Sequence, residues 1–102
     1  MSQDLRNELS GLDRLIHEPA RLIIMTILYA IDEADFLYLV NETGLTRGNL
    51  STHLSKLEAA GYIKIEKTFR GKIPRTVCTL SEVGRAAFEK YRKQLRQIAG
   101  RI

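Results

Sequence analysis

A single cysteine, Cys78, stands among 102 residues, so no disulfide can form within the chain. That usage suits a reducing compartment, and a cytoplasmic location is the expectation. No apolar run approaches the ~18 residues that a membrane-spanning helix needs. The longest, "LIIMTILYAI" (Leu22 to Ile31), is broken only by Thr26 and follows Pro19. It predicts a buried core helix, and no membrane partner is expected. The opening "MSQDLRNEL" is polar and acidic, unlike a secretion signal. A glycine-rich phosphate loop, a zinc signature and a serine nucleophile elbow are all missing. An enzyme is therefore not expected, nor a cofactor, nor a bound metal. "DEAD" (Asp32 to Asp35) is no helicase motif, because no phosphate loop precedes it, and it reads as a connection. His17 and His53 have no partners at metal-ligand spacing. Cys78, in "TVCTL", is expected in the core; a redox role for it stays open.

Acidic residues are scarce in the second part of the chain. Residues 61–102 carry eleven Lys/Arg against three Asp/Glu, whereas residues 1–60 carry five against nine. Such an asymmetry suggests a surface turned toward a polyanion. Part of the excess belongs to "RKQLRQIAGR", which a solvated helix would also explain. The segment before it, however, places Lys64, Lys67, Arg70, Lys72 and Arg75 against Glu66 alone.

Leu5, Leu9, Leu12 and Ile16 recur at helical spacing and predict an N-terminal helix over residues 1–18. Pro19 suits the first position of a second helix. Phe36, Leu39 and Val40 predict a third, with Gly44 as its C-cap. After a tight turn, Thr46 caps a fourth helix that Gly61 ends. Ile63, Ile65 and Phe69 then alternate along a strand, with Lys67 interrupting the pattern. Arg70 to Pro74 reads as the turn and "RTVCTL" as the returning strand. Ser81 caps a last helix, slightly weakened by Gly84 in its first turn.

The fourth helix has two faces. Leu50, Leu54 and Leu57 point inward. The opposite side carries Arg47, Gly48, Asn49, Ser51, Thr52, Ser55 and Lys56, with no acid before Glu58. Ordinary exposed helices favour Glu/Lys pairs four residues apart. Small polar groups are poorer helix formers but can reach base edges and phosphate oxygens in a major groove. Arg70, Lys72 and Arg75 at the hairpin tip can reach flanking phosphates or the minor groove. Candidate DNA contacts are therefore Thr46, Arg47, Asn49, Ser51, Thr52, Ser55, Lys56, Arg70, Lys72 and Arg75.

"ETGLTRGNLSTHLSKLEAAGYIKIEKTFRGKIPRTVCTLSEVGRAAFE" resembles the winged helix-turn-helix of small transcriptional regulators. It is most similar to compact one-domain relatives of the MarR and ArsR families. The match is tight at "LIHEPARL", "TGLTRGNLSTHLSKLEAAGYI" and "PRT…TLSEVGR", and spans roughly residues 12–90. The resemblance implies a regulator that binds operator DNA as a homodimer. It places the recognition helix at Thr46 to Ala60 and the wing at Lys64 to Thr79. The paired Cys or His ligands of metal-sensing ArsR relatives are missing here. At this length the effector pocket of larger MarR relatives is reduced, so an effector has no support.

Phe88, Tyr91, Leu95, Ile98 and Ile102 form a second apolar stripe. One small core cannot bury it together with the stripe from Leu5 to Ile16, although the inner part of the last helix (Ala87, Phe88) is expected to cover the protomer's own core. Leu5, Leu9, Leu12, Tyr91, Leu95 and Ile98 are thus expected to pack against a second subunit. The expected fold class is α+β, mainly α: a three-helix winged helix-turn-helix core with a β-hairpin wing and terminal dimerisation helices. One domain, 1–102, divides into an N-terminal helix (1–18), the core (19–80) and a C-terminal dimerisation helix (81–102). The expected function is sequence-specific regulation of transcription on a pseudo-palindromic operator, with repression the favoured sign. The alternative is a winged-helix adaptor that binds protein inside transcription or replication machinery.

Overall fold

The computed structural model describes residues 3–102. Five helices and three strands follow one another: α1 (Gln3–Ser10), α2 (Pro19–Ile31), β1 (Glu33–Asp35), α3 (Phe36–Thr43), α4 (Arg47–Ala59), β2 (Ile63–Arg70), β3 (Ile73–Leu80) and α5 (Glu82–Ala99). The fold is mainly helical, with one antiparallel sheet in the order β1-β3-β2.

Helices α2 to α5 each start where a side chain accepts free backbone N–H groups. The Glu18 carboxylate accepts from Ala20 and Arg21, both at 3.0 Å, and Pro19 follows it at the first helical position. Asp35 accepts from Tyr38, Thr46 from Asn49 and Ser81 from Gly84. Gly44 ends α3 in the left-handed region at φ 71°, where a Cβ would be strained.

"DEAD" is more than a connection. Asp32 turns at φ 71° and accepts from the Arg85 guanidinium. Glu33 to Asp35 then pair with Thr79 to Val77 as strand β1. Three residues carry too little periodicity to mark a strand; pairing with β3 makes it one. The wing is also longer than expected. Arg70 pairs with Ile73, leaving only Gly71 and Lys72 in the turn. Gly71, at φ 64°, supplies the left-handed first position of a glycine-first hairpin turn. Pro74 sits within β3 opposite Phe69, beyond the reach of β1, so its missing N–H breaks no ladder there.

The core gathers Ile24, Met25 and Leu28 of α2, Leu39 of α3, Leu50, Leu54 and Leu57 of α4, and Cys78 of β3. Phe88, Tyr91 and Ile98 of α5 join it. Helix α2 is not buried all round, because this small core covers only part of it: Ile23 and Ile31 are each 44 % exposed. Helix α1 stops at Ser10, well short of residue 18. Leu12 and Ile16 reach the core from the turns that follow. Asp13 shapes those turns by accepting from the Leu15 and Ile16 N–H groups and from the Tyr62 hydroxyl.

Three residues expected at a subunit interface are instead buried within the protomer: Leu12, Tyr91 and Ile98. The α1 end of the chain folds back over α5, with Glu8 paired to Arg101 and His17 Nδ1 2.7 Å from the Tyr91 hydroxyl. Ile102 lies beyond α5 and is exposed, so the expected stripe is cut at its end. Leu5 and Leu95 are half-buried, and Leu9 is 38 % exposed. The molecule is elongated, 57 × 26 × 21 Å.

Candidate nucleic-acid interface

Helix α4 is held from behind. Leu50, Leu54 and Leu57 anchor it in the core. His53, at the edge of that side, lies 3.1 Å from Arg21 Nη1 and 3.5 Å from Glu18. Burial pushes the Glu18 carboxyl up, but the N–H groups of Ala20 and Arg21 and the charges of His53 and Arg21 outweigh it. The carboxyl ends below its usual range and stays ionised. This cluster pins the rear of α4 to the start of α2, so the outward side has a fixed orientation.

That outward side is open. Thr46, Arg47, Asn49, Ser51, Thr52, Ser55 and Lys56 are all exposed. Among the described residues, neither Arg47 nor Lys56 has an acidic partner. The Thr52 hydroxyl donates to the Gly48 carbonyl at 3.0 Å, so part of its hydrogen-bonding capacity is already used. The Asn49 side chain has no such partner among the described residues. Gly48 faces open space without a left-handed backbone. Neither backbone conformation nor packing within the protomer therefore requires a glycine there.

A groove of about 660 Å³ runs between the wing, the start of α3 and the first turn of α4. Arg47, Arg70 and Arg75 line it together, so helix and wing present cations to one concavity. Lys72 lies at the turn and is exposed. Lys67, counted in the sequence among the hairpin cations and as an interruption of strand alternation but not among the candidate contacts, also lines the groove. That interruption was its signal: a cation replacing an apolar residue on the inward-facing row. Phe69 and Ile73 line it as well, and nothing in the sequence pattern placed them there.

Arg75 differs from the other cations. It lies 3.6 Å from Asp35, which also caps α3. The pair forms because β1 sets Asp35 opposite Val77, close along β3 to Arg75. Its charge is therefore partly offset, whereas Lys67, Arg70 and Lys72 have no acidic partner among the described residues. Lys64 is paired with Glu66 at 2.7 Å.

Cys78 is fully buried, and burial together with Glu58 and Asp35 pushes its thiol up to about 11. Both conditions run against a reactive thiolate. A second, apolar groove of about 550 Å³ lies between α2 and α5, walled by Leu22, Tyr29, Phe88, Tyr91 and Leu95. Tyr29 is held there by Arg85 and Arg92, each about 5 Å from its ring centre.

Residues 20–99 match the winged helix DNA-binding domain family. An uncharacterized protein of Methanocaldococcus jannaschii is 31% identical over 90 residues, covering 87% of this chain and 97% of the relative. The structure of a transcriptional regulator homologue from Pyrococcus horikoshii superposes with a TM-score of 0.86 at 26% identity, covering 97% of this chain and 96% of the other. A MarR-family transcriptional regulator from Silicibacter pomeroyi shares the fold, with a TM-score of 0.67 at 24% identity. That likeness covers 96% of this chain and 63% of the other. The matched family binds DNA and is not catalytic. With a wing on its sheet and a capped, open-faced α4 beside it, the chain belongs to the winged helix DNA-binding domain family.

Proposed function

We propose that the protein is a homodimeric, sequence-specific regulator that seats α4 in the major groove and lays its wing on the flanking backbone and minor groove. One observation carries this reading: Arg47 of α4 shares a groove with Arg70 and Arg75 of the wing. A duplex touching one would meet the others. Thr46, Asn49, Ser51, Thr52 and Ser55 then face base edges and phosphates, and Lys56, Arg70 and Lys72 neutralise phosphate charge.

The homodimer reading is supported by the apolar surface that the protomer leaves open. Leu9 and Ile23 are exposed, Leu5 and Leu95 are only half-buried, and the α2–α5 groove is apolar. Leu12, Tyr91 and Ile98 act beneath that surface, as its support. A two-fold pair would set recognition helices about 34 Å apart on a pseudo-palindromic operator. We take repression as the sign of regulation, because a dimer covering two successive grooves obstructs a promoter it overlaps.

Selection of bound fragments from the source genome, followed by mobility-shift titration at rising salt, tests the reading. The expected result is a palindromic enriched sequence, bound more tightly than random duplex, with affinity that falls steeply with salt. Little salt-dependent retention of any duplex would instead support a protein-binding adaptor.

A further inference from the structure

The wing tip carries more than charge. Phe69 and Ile73 are each 69 % exposed, and neither packs against the core. Strand register places them on opposite faces of the ribbon, because Phe69 stands opposite Pro74 while Ile73 stands opposite Arg70. The last rungs of the hairpin thus show one apolar side chain on each face. Lys67, Arg70 and Lys72 surround them, uncompensated by any acid among the described residues. A hairpin end protected only against aggregation would carry charge alone. An exposed aromatic and an exposed β-branched residue ringed by unpaired cations suit an occupant that is apolar within and anionic at its edges.

We propose that Phe69 and Ile73 form an apolar wedge that enters the minor groove next to the recognition site, partly unstacks one base step and bends the duplex. The proposal rests on the DNA-binding reading above. Minor-groove walls are deoxyribose edges rimmed by phosphates, which suits a tip that is apolar on both faces and cationic at its rim. The groove is about 6 Å wide in B-DNA. Two strands alone are about 4.8 Å apart, so the tip and its side chains enter only by widening it. Widening and unstacking are least costly at TA and CA/TG steps. The wedge would therefore select flanking sequence without a hydrogen bond to any base. An anionic bilayer also offers charge beside apolar matter. A flat surface would meet only the tip, however, whereas the wing stands beside a concavity lined by Arg47, Arg70 and Arg75 that fits a rounded backbone strand.

The chain has no tryptophan, so Phe69→Trp in the full-length protein supplies a single reporter. The probe is the duplex most enriched from a random pool, in two versions whose flanks hold either TA steps or a stiff A-tract. Expected are quenching of the Phe69→Trp emission on the TA-flanked duplex and a bend seen as end-to-end energy transfer. The Phe69→Ala/Ile73→Ala protein should lose that bend and about tenfold in affinity for the TA-flanked version, with little change on the A-tract version. Duplex binding with unchanged emission and equal affinities for both proteins would overturn the wedge and leave the DNA reading standing. Quenching by phosphatidylserine vesicles but not by duplex would overturn it in favour of a membrane. Failure to bind any duplex at low salt would remove the DNA reading itself.

Discussion

The carbonyl oxygen of Tyr62 occupies the place that a Cβ on Gly84 would take. Such a Cβ would also lie 2.8 and 2.9 Å from the Tyr62 carbonyl carbon and Cα, inside the 3.0 Å limit of real contacts. The first turn of α5 can therefore sit on the α4–β2 connection only with glycine there. Ser81 cements the contact, its N–H donating to the Tyr62 carbonyl at 3.0 Å and its hydroxyl to that of Gly61 at 2.5 Å.

Gly84→Ala should accordingly destabilise the fold by about 2 kcal/mol or more, despite the better helix propensity of alanine. Gly48→Ala, in open space on α4, should instead raise stability by about 0.5 kcal/mol and weaken DNA binding by keeping the backbone at a distance. Urea melts of both variants and a duplex titration of the second check the pair. Equal shifts of stability would show that the Tyr62 contact yields easily.

Base reading and charge should separate on mutation. Asn49→Ala should cost ~1–3 kcal/mol on the preferred sequence and little on random duplex. Arg70→Ala and Lys72→Ala should weaken binding to every duplex and lower the salt slope by roughly one each. Arg75→Ala should change the slope less, because Asp35 already offsets its charge. Competition binding at several salt concentrations measures all four. Uniform losses across sequences for Asn49→Ala would remove it from the base-reading set.

Asp35→Asn should strengthen DNA binding. An asparagine keeps an acceptor for the Tyr38 N–H, so α3 stays capped. Arg75 loses its partner and turns its full charge on the duplex. The gain should reach at most about fivefold at low salt and fade as salt screens it. Unchanged affinity at low salt would mean that Arg75 does not face DNA.

Stability should fall in alkali. Burial and Asp13 push the Tyr62 phenol from 10.0 up to about 12, and Cys78 rises from 9.0 to about 11. In both cases the folded chain keeps a proton that the unfolded chain has released. Unfolding is then favoured progressively as pH rises through 9 to 11 for the thiol and 10 to 12 for the phenol, and the full contribution is present below pH 9. Cys78→Ala should flatten the lower part of that decline and Tyr62→Phe the upper part. Denaturant midpoints taken across the range follow it directly.

Leu9→Glu should reduce the protein to monomers if α1 and α5 meet their counterparts in a second subunit. Leu9 is 38 % exposed and adds little to the protomer core, so helical content should be retained. Sedimentation velocity reads the change. A species of unaltered mass would move the interface elsewhere, with the exposed Ile23 side of α2 as the next surface to examine.

Much of this architecture was legible before folding was considered. Leu50, Leu54 and Leu57 repeat at helical spacing, and all three are buried. Gly44 and Thr46 bracket the turn as their backbone chemistry requires. These signals are local, carried within a few residues, so a linear chain displays them. Strand β1 was hidden because its partner lies some forty residues away, and its three residues become a strand only through Cys78 and its neighbours. Helix α1 was read too long because Leu12 and Ile16 keep a helical spacing by coincidence, while Asp13 bends the backbone into turns that still deliver both to the core.

The order of the helices and the hairpin, the two-sided character of α4 and the sign of the wing's charge were determined by the sequence alone, since propensity, capping and periodicity act over one or two turns. Tertiary structure decided which cations remain free, which apolar residues the protomer buries for itself and which it leaves at the wing tip. Those outcomes depend on distances between segments far apart in the chain. The offset of Arg75 by Asp35, the withdrawal of Tyr91 beside His17 in the turns after α1 and the one permitted residue at position 84 exist only once the chain has closed on itself.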